Sequence, residues 1–341
     1  MKYGFGLVGC GAIAPVFAQA IARLDDARLA AVCDVAPERA RALADRFGAQ
    51  CHADYDALLR RDDVQVVCVL TWSGKHAEMG IAAALAGKHV VTTKPIDVTL
   101  EKIDRLIGAC RERGVKLAAV HQMRSAKPFV RLKRAIDEGR LGRLHFGNVF
   151  VPWCRTQEYY DSAEWRGTWE WDGGGALMNQ GVHMVDVLQW MMGPVAEVQA
   201  YAGTLAHKVE VEDAAVAALR FESGALGLIL ASTAVYKGLP PRLEVFGATG
   251  NVVIEGDDIV RWQVGDEEEI ASFHGSAFGA TDPQAGLAEA VEGHVEQLGD
   301  FLAAIEEDRP PMISGEEARK AVALILAIYE SARTGRPARP G

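Results

Sequence analysis

The sequence predicts an α/β protein of two domains, and three observations support this prediction. Its 341 residues are enough to form two separate hydrophobic cores. In the first third, short apolar runs alternate with amphipathic stretches, as parallel strands alternate with helices in α/β domains. From about residue 195 to 262 the pattern changes to short runs of alternating polar and apolar residues separated by turns, which indicates an antiparallel sheet.

Composition and charge narrow the range of functions. With 49% hydrophobic and 24% charged residues and no long apolar run, secretory signal or lipidation motif, the chain is expected to be soluble, cytoplasmic and without a membrane partner. A net charge of −10 argues against nucleic-acid binding. No metal is expected, because the cysteines include no CxxC pair and their apolar surroundings predict buried, reduced thiols. These are Cys10, Cys33, Cys51, Cys68, Cys110 and Cys154.

The N-terminal segment has the pattern of a dinucleotide site. A strand-like run from Lys2 to Val8 leads into GCGAIA, a G-x-G-x-x-A turn that opens a helix up to Leu24. Such a turn brings the backbone and a helix N-terminus close to a pyrophosphate. A second strand ends at Asp34, whose carboxylate would bind the ribose hydroxyls of NAD and repel the 2′-phosphate of NADP. The predicted cofactor is therefore NAD rather than NADP, held by Gly9, Gly11, Ala12, Ile13 and Asp34; the alternative is a glycine turn that serves only helix packing.

Further strands are predicted over residues 64–70, 89–92 and 115–120, with helices between them. Ligands of such sheets bind at the carboxyl ends of the strands. Lys94 is a candidate for catalysis there because Pro95 follows it, although a lysine at a strand end is more often a solvated charge. The further cofactor-binding candidates at these strand ends are Thr71, Trp72, His76, Thr93, Lys94 and Gln122.

Residues 173–190 predict a buried helix that begins after three glycines and is apolar on nearly every side. Asn179, His183 and Asp186 interrupt its apolar surface at i, i+4 and i+7, so at about 100° per residue they share one narrow face. Burying such groups without partners costs about 1–3 kcal/mol each. Either they form a ligand site, or His183 is a core histidine with Asp186 as its acceptor.

The sequence also allows predictions for three other segments. Residues 155–172 are rich in tyrosine and tryptophan, which either stack on a sugar or pack on each other, and Arg166 could hold a substrate carboxylate or phosphate. Residues 264–284 predict an acidic surface loop. A helix is expected over 286–306, with His294 on its surface.

Together these residues resemble the glucose–fructose oxidoreductase/inositol dehydrogenase (Gfo/Idh/MocA) family. The resemblance lies in the GCGAIA turn, Asp34, Thr93-Lys94-Pro95, Trp165-Arg166, GGGALMNQGVHMVD and the tail from Ser314 to Pro337. It implies a Rossmann domain over residues 1–123 and a C-terminal α/β domain with an open, mostly antiparallel sheet over 124–341. The last helix, about 314–335, would pack back on the first domain. Because an open sheet needs its second face covered, a homodimer or homotetramer through this sheet is expected.

The same resemblance implies the roles of several site residues. Lys94 and His183 would flank the reacting carbon, and Trp165 and Arg166 would lie beside the nicotinamide. The chain departs from the family pattern at Thr93, where Glu is usual, and at Asn179, where Asp is usual. Members with this Asn include enzymes similar to UDP-N-acetylglucosaminuronate 3-dehydrogenases, which favours a sugar or sugar nucleotide as substrate.

The predicted function is that of an NAD-dependent oxidoreductase, a dehydrogenase acting on a secondary alcohol of a sugar, sugar nucleotide or cyclic polyol. His183 would accept the proton, Lys94 would stabilise the developing alkoxide, Asn179 would orient the hydroxyl, and Asp186 would fix the His183 tautomer. An alternative on the same scaffold is an NAD-dependent glycosidase or lyase that oxidises its substrate transiently. A non-catalytic NAD-binding regulator is disfavoured because both Lys94 and His183 are present.

Overall fold

The computed structural model describes residues 3–271 and 287–341. These residues form two compact units. The first contains residues 3–122 and 287–319, and the second contains residues 123–271 and 320–341. The chain thus leaves the first unit after residue 122 and returns to it for residues 287–319.

The first unit is built on a six-stranded parallel sheet with the strand order β3-β2-β1-β4-β5-β6. This is the order of the Rossmann fold, which confirms the predicted fold class. The three-residue strand β3 was not predicted, because it is too short to show a period. The strands are β1 (Tyr3–Val8), β2 (Ala27–Cys33), β3 (Gln50–His52), β4 (Val66–Val69), β5 (His89–Thr92) and β6 (Leu117–Ala119).

Among the described residues of this unit, six α-helices accompany the sheet, and the last of them contradicts one prediction. They are α1 (Ala14–Ala22), α2 (Pro37–Phe47), α3 (Tyr55–Leu59), α4 (His76–Leu85), α5 (Leu100–Arg113) and α9 (Leu287–Glu306). The prediction that His294 lies on the surface of α9 is wrong, since its side chain is 1% exposed. Its ring packs edge-on against Phe17 of α1 at 4.7 Å, because α9 lies against α1 within the core of this unit.

The second unit contains an eight-stranded sheet with the order β14-β13-β12-β11-β7-β10-β9-β8, in which only β7 and β10 pair in parallel. The predicted mostly antiparallel sheet is therefore confirmed. Side chains alternate between buried and exposed along β9 and β10, so one face of the sheet is covered and the other is exposed. The strands are β7 (Leu144–Pro152), β8 (Val195–Gly203), β9 (Ala214–Phe221), β10 (Leu226–Ser232), β11 (Arg242–Gly247), β12 (Gly250–Glu255), β13 (Asp258–Val264) and β14 (Glu267–Ile270).

The remaining helices are α6 (Lys127–Asp137), α7 (Gln157–Asp161), a π-helical segment (Ala176–Gly181) that runs into α8 (Val182–Met192), and α10 (Gly315–Thr334). The predicted surface loop over 264–284 is partly wrong, because β14 lies within it. Arg131 pairs with Glu269, and Arg140 pairs with Glu267, which ties this acidic strand to the rest of the unit. The rest of the predicted loop, from residue 272 onward, lies outside the described residues.

Two further sequence expectations can be compared with the structure. Cys33, Cys68 and Cys110 are buried, but the prediction of a buried thiol is wrong for Cys51, which is exposed on the short edge strand β3. Within the described part of the chain, no helix is both long enough and apolar enough to cross a membrane.

Candidate active site

The glycine turn after β1 uses its two glycines for different purposes. Gly9 has a φ of +94°, and a Cβ added to it would lie 2.6 Å from the carbonyl oxygen of Leu70. Gly9 therefore permits both the left-handed conformation and the close approach of two strand ends. A Cβ on Gly11 would meet nothing within 4 Å, so the absence of a side chain there leaves open space beside the turn.

The start of α1 and the end of β2 complete this turn. The residue before α1, Ile13, provides no side-chain cap, and the first turn of the helix contains no acidic residue, so the helix N-terminus is suited to an anion. Asp34 accepts hydrogen bonds from the backbone N–H groups of Cys10 at 2.6 Å and Ala36 at 2.7 Å, one on each carboxylate oxygen. Each oxygen retains a further lone pair, which suits the binding of two ribose hydroxyls.

The loop after β4 contains a polar atom with no partner and a buried histidine. The Thr71 hydroxyl is buried and makes no hydrogen bond among the described residues. The His76 ring lies between the carbonyl oxygens of Pro95, 2.7 Å from Nδ1, and Thr71, 3.0 Å from Nε2. Burial lowers the pKa of His76, while the two carbonyl contacts act in the opposite direction. His76 thus contacts the backbone of two segments predicted to bind the cofactor, one at Thr71 and one at Pro95. Its own contact with NAD stays a prediction.

The segment after β5 is held in place by a carboxylate that the sequence analysis missed. Thr93 and Lys94 are half-buried, and the peptide bond between Lys94 and Pro95 is cis. Asp97 is fully buried and accepts hydrogen bonds from the N–H groups of Ala77 at 2.8 Å and Val98 at 2.6 Å. Asp97 therefore caps the first turn of α4 and ties this helix to the segment that carries Lys94.

The end of β6 is positioned by α9. The buried Gln297 side chain accepts from the N–H of His121 at 3.0 Å and donates to its carbonyl oxygen at 2.7 Å. Gly293 lies one helical turn before Gln297 in α9, and a Cβ added to it would lie 3.0 Å from the Cβ of Gln122. The predicted cofactor residue Gln122 is thus set by contacts about 170 positions away in the chain, which no local pattern indicates.

These features of the first unit fit a dinucleotide. The space at Gly11, the uncapped N-terminus of α1 and the unsatisfied Thr71 hydroxyl each supply what a bound pyrophosphate or nucleoside requires. Trp72 is 43% exposed beside Thr71, and its contact with the cofactor also stays a prediction.

In the second unit, the predicted central helix begins with a π-helical segment rather than an α-helix. The N–H of Gln180 donates to the carbonyl oxygen of Gly175 at 3.2 Å, five residues back. Asn179 lies in this segment and His183 in α8, so the spacing of 100° per residue assumed for the polar row does not hold between them. π-Helical turns of this kind are frequent at functional sites.

The entry to this segment is fixed by Glu212, another residue that sequence reasoning missed. Its buried carboxylate accepts from the N–H groups of Gly175 at 3.0 Å and Leu177 at 2.8 Å, and from the hydroxyl of Tyr329 at 2.9 Å. Burial raises the pKa of Glu212, although these hydrogen bonds act in the opposite direction. Gly174 passes so close to the Tyr329 hydroxyl that a Cβ would collide with it.

Asp186 and Asn179, two of the three polar residues of the helix, have separate partners. Asp186 is 1% exposed and receives two hydrogen bonds from Arg124, from Nε at 2.8 Å and from a terminal nitrogen at 2.6 Å. Asn179 donates to the buried carboxylate of Asp172, which also accepts from the N–H of Gly167 at 2.9 Å. His183, 5% exposed, lies between these two in the sequence. The role of Asp186 in selecting the His183 tautomer stays a prediction.

The aromatic loop before this helix carries two arginines, Arg155 and Arg166. Arg155 donates to the Gln180 side chain at 2.8 Å, and Gln180 donates to the Tyr159 hydroxyl at 3.1 Å and to Asn179 at 3.0 Å. The Arg166 guanidinium lies 4.2 Å from the centre of the Tyr159 ring and 4.7 Å from that of Trp165. Trp165 and Arg166 are both half-buried.

Several known proteins are similar to this chain over nearly its whole length. The myo-inositol 2-dehydrogenase of Thermotoga maritima is 28% identical over 96% of this chain and 95% of its own. The inositol 2-dehydrogenase of Rhizobium meliloti is 27% identical over 97% of each chain. The crystal structure of the WlbA dehydrogenase from Bordetella pertussis, in complex with NADH and UDP-GlcNAcA, is 37% identical and covers 99% of this chain and 97% of its own, with a TM-score of 0.88.

Family models match both parts of the chain. Residues 3–121 match the model of the oxidoreductase family with an NAD-binding Rossmann fold. Residues 129–253 match the GFO/IDH/MocA C-terminal domain. The protein belongs to the GFO/IDH/MocA family of NAD-binding oxidoreductases, whose members act on sugars, polyols and sugar nucleotides.

Proposed function

We propose that this protein is an NAD-dependent dehydrogenase that oxidises a secondary alcohol of a sugar or sugar nucleotide, with His183 as the base. The observation that carries the proposal is the environment of His183. Its neighbours on the helix, Asn179 and Asp186, are held by a buried carboxylate and a buried guanidinium. Such preorganisation keeps a base in position without reorganisation during the reaction.

The residue roles follow from the chemistry of alcohol oxidation. Bound NAD⁺ would supply the hydride acceptor, and the residues proposed to hold it include Gly11, Asp34 and Thr71. His183 accepts the hydroxyl proton, the role of a general base that histidine fills most often. The Lys94 ammonium stabilises the negative charge that develops on the substrate oxygen, and the Asn179 side chain orients the hydroxyl.

The substrate class is supported by the similar proteins. The WlbA enzyme, at 37% identity, was crystallised with a UDP-sugar, whereas the two inositol dehydrogenases are 28% and 27% identical. The aromatic rings of the loop before the helix offer surfaces on which a sugar ring can stack. We therefore include a sugar nucleotide with the simple sugars in the proposal.

We also propose that the protein forms a homodimer or homotetramer through the exposed face of its eight-stranded sheet. Large apolar side chains on neighbouring strands are substantially exposed there, which is costly for an isolated chain in water. They are Phe146 at 47%, Val216 at 43%, Leu226 at 47%, Leu228 at 44% and Leu230 at 37% exposed. Analytical ultracentrifugation of the protein before and after Leu228→Glu tests this, and a wild-type monomer would exclude it.

The function is tested by NADH formation with a panel of sugars, inositols and UDP-sugars, followed by His183→Ala. Loss of a general base is expected to lower kcat by about 10²–10⁴-fold, while the melting temperature and NADH affinity stay near wild-type. His145→Ala, which removes an exposed histidine of the same unit, serves as the control.

Two results would contradict the proposal. A large loss of stability in His183→Ala, with activity retained in the folded fraction, would show that His183 is a core residue and not the base. Consumption of substrate without accumulation of NADH would instead indicate the glycosidase or lyase alternative, in which the cofactor is regenerated in each turnover.

A further inference from the structure

The Gln180 side chain uses both of its polar atoms on neighbours within the second unit. It is 7% exposed, and its Oε1 atom accepts a hydrogen bond from Arg155 at 2.8 Å. Its Nε2 atom carries two hydrogens, and it donates to the Tyr159 hydroxyl at 3.1 Å and to the Oδ1 atom of Asn179 at 3.0 Å. Gln180 is therefore held by three partners, and one of them is the residue proposed to orient the substrate hydroxyl.

These contacts belong to a chain of hydrogen bonds that begins at a cation and ends at a carboxylate. Arg155 donates to Gln180, and Gln180 donates to Asn179. The Nδ2 atom of Asn179 in turn donates to the carboxylate of Asp172. A guanidinium group only donates and an ionised carboxylate only accepts, so the two ends decide which way each amide between them points. Both ends give the same direction, in which Oδ1 of Asn179 faces Gln180 and Nδ2 faces Asp172.

Both ends of this chain are held by further contacts. The backbone carbonyl oxygen of Arg155 lies 2.8 Å from the Nε2 atom of His207, and the Arg155 Cζ atom lies 5.3 Å from the centre of the Tyr159 ring. Asp172 is 1% exposed, and its other oxygen accepts from the N–H of Gly167 at 2.9 Å. The direction of the chain is thus anchored in the surrounding structure.

The chain sets a narrow requirement for the side chain at position 179. This side chain must accept a hydrogen bond from Gln180 and donate one to Asp172, and an asparagine amide does both. An aspartate there would accept but not donate, and it would bring two carboxylates into contact, which disfavours the charged form of both. Asn179 therefore depends on its two neighbours for its direction.

We propose that Gln180 is a positioning residue for Asn179, whose amide it holds in the one direction that turnover requires. The proposal rests on the proposed function, in which Asn179 orients the substrate hydroxyl. An amide that turns round exchanges a donor for an acceptor, so the hydroxyl would then meet the wrong atom. Because an orienting group acts by keeping the reacting atoms in one geometry, loss of Gln180 should reduce kcat more than it changes KM.

Gln180→Glu tests the proposal, since glutamate has the same shape and still accepts from Arg155 but has no hydrogen to donate to Asn179. The substrate is the compound that the wild-type protein oxidises fastest in the panel of sugars, inositols and UDP-sugars. We expect kcat to fall by about 10–100-fold, because a displacement of about 1 Å in a positioning group costs up to about 100-fold. KM should change less than kcat.

Gln180→Met separates the donated hydrogen from the contact with Arg155. Methionine has a similar length but loses both, so kcat should fall as far as in Gln180→Glu. The melting temperature should be lower in Gln180→Met, because the glutamate variant gains a charge-assisted hydrogen bond from Arg155. Each variant also replaces the other if one of them does not fold.

A second measurement needs no substrate. The side-chain amide protons of Asn179 are followed by NMR in the full-length protein, and their signals are identified by their absence in Asn179→Ala. The proton donated to the buried Asp172 carboxylate should exchange slowly with solvent in the wild-type protein. Its exchange should be faster in Gln180→Glu and Gln180→Met, because the amide has lost the partner that fixes its direction.

Gln157→Glu is the matched control, because it adds the same charge in the same loop. Gln157 contacts Asp161 and the backbone of Lys208 at the surface, away from Asn179. This variant should keep the kcat and the Asn179 signals of the wild-type protein.

Three results overturn the proposal. A Gln180→Glu protein with wild-type kcat would show that the hydrogen donated to Asn179 is not needed. An equal loss of kcat in Gln157→Glu would assign the effect to the added charge. Unchanged exchange of the Asn179 protons in both Gln180 variants would show that Gln180 does not direct this amide. A wild-type protein that oxidises no compound of the panel contradicts the proposed function instead, and the NMR comparison then still decides whether Gln180 directs Asn179.

Discussion

The glycine turn of the first unit and the polar helix of the second hold their functional groups in different ways. In the turn, the important features are backbone conformation, open space, and one carboxylate bound by two backbone amides. Around the helix, the buried carboxylates of Asp186 and Glu212 are bound by groups from distant parts of the unit, and that of Asp172 is bound by Gly167 and Asn179. Substitutions of these carboxylates or of their partners should therefore reduce stability, and substitutions in the turn should mainly reduce ligand binding.

The largest expected effect comes from breaking the buried ion pair beside His183. Arg124→Met leaves the Asp186 carboxylate, 1% exposed, without its guanidinium, and loss of one member of such a pair costs about 3–5 kcal/mol. Urea unfolding measures the loss. Arg131→Met is the matched control, because its partner Glu269 is largely exposed and such pairs contribute about 0–1 kcal/mol. Equal losses in the two variants would show that the Arg124 pair does not hold the helix.

A second effect is a dependence of stability on pH. It tests whether a buried residue in the core of the first unit contributes to stability, unlike the glycine turn of the same unit. Burial lowers the pKa of His294 to about 4, against about 6.5 in the unfolded chain. The unfolded state therefore binds more protons between these values. The stability contributed by neutral His294 is full above pH 6.5 and is lost as the pH falls towards 4, by about 3 kcal/mol.

His294→Gln removes this titration. The decrease in unfolding free energy between pH 7 and pH 4.5 should be smaller in the variant than in the wild-type protein, with the carboxylates common to both. The same decrease in both proteins would mean that His294 does not become buried in its neutral form.

The two regions also differ in how far the sequence predicts them. The turn was predicted because its features are local: a strand, glycines at fixed spacing, a helix and then Asp34 within about 30 residues. The polar helix was predicted as an element, and so was the burial of its residues. Its partners Arg124, Asp172 and Glu212 were not, since a side chain that arrives from 7 to 62 positions away leaves no periodic signal.

The predicted polar row shows the physical limit of such reasoning. The alignment of Asn179 with His183 assumed α-helical geometry from the first residue onward. Glu212 and Tyr329 instead fix the entry so that the chain begins as a π-helix. Helix type was thus decided by tertiary contacts, which a hydrophobic period cannot represent.

In the turn, a moderate effect on ligand binding is expected from Asp34→Asn. NADH affinity should fall by about 10–100-fold, because hydrogen bonds to a charged group are worth about 1.5–3 kcal/mol. The preference for NADH over NADPH should narrow, since the repulsion of the 2′-phosphate is removed. Fluorescence titration with both cofactors provides the comparison. Wild-type protein that binds NADPH at least as tightly as NADH would contradict the role of Asp34, and the exposed Arg39 would then be tested for phosphate binding.

The smallest effect on stability, and the sharpest test of the comparison, is expected from Gly11→Ala. The added methyl group meets no protein atom within 4 Å, so the free energy of unfolding should change by less than about 1 kcal/mol. NADH affinity should nevertheless fall, because the methyl group occupies the space proposed for the pyrophosphate.

Gly9→Ala is the counterpart: its Cβ would lie 2.6 Å from the Leu70 carbonyl oxygen at a φ of +94°, and the strain should cost about 1–3 kcal/mol. Melting and NADH titration of both variants separate the two roles. If Gly11→Ala binds NADH as the wild-type protein does, the open space beside the turn is not where the cofactor lies, and the distinction drawn between the two glycines is wrong.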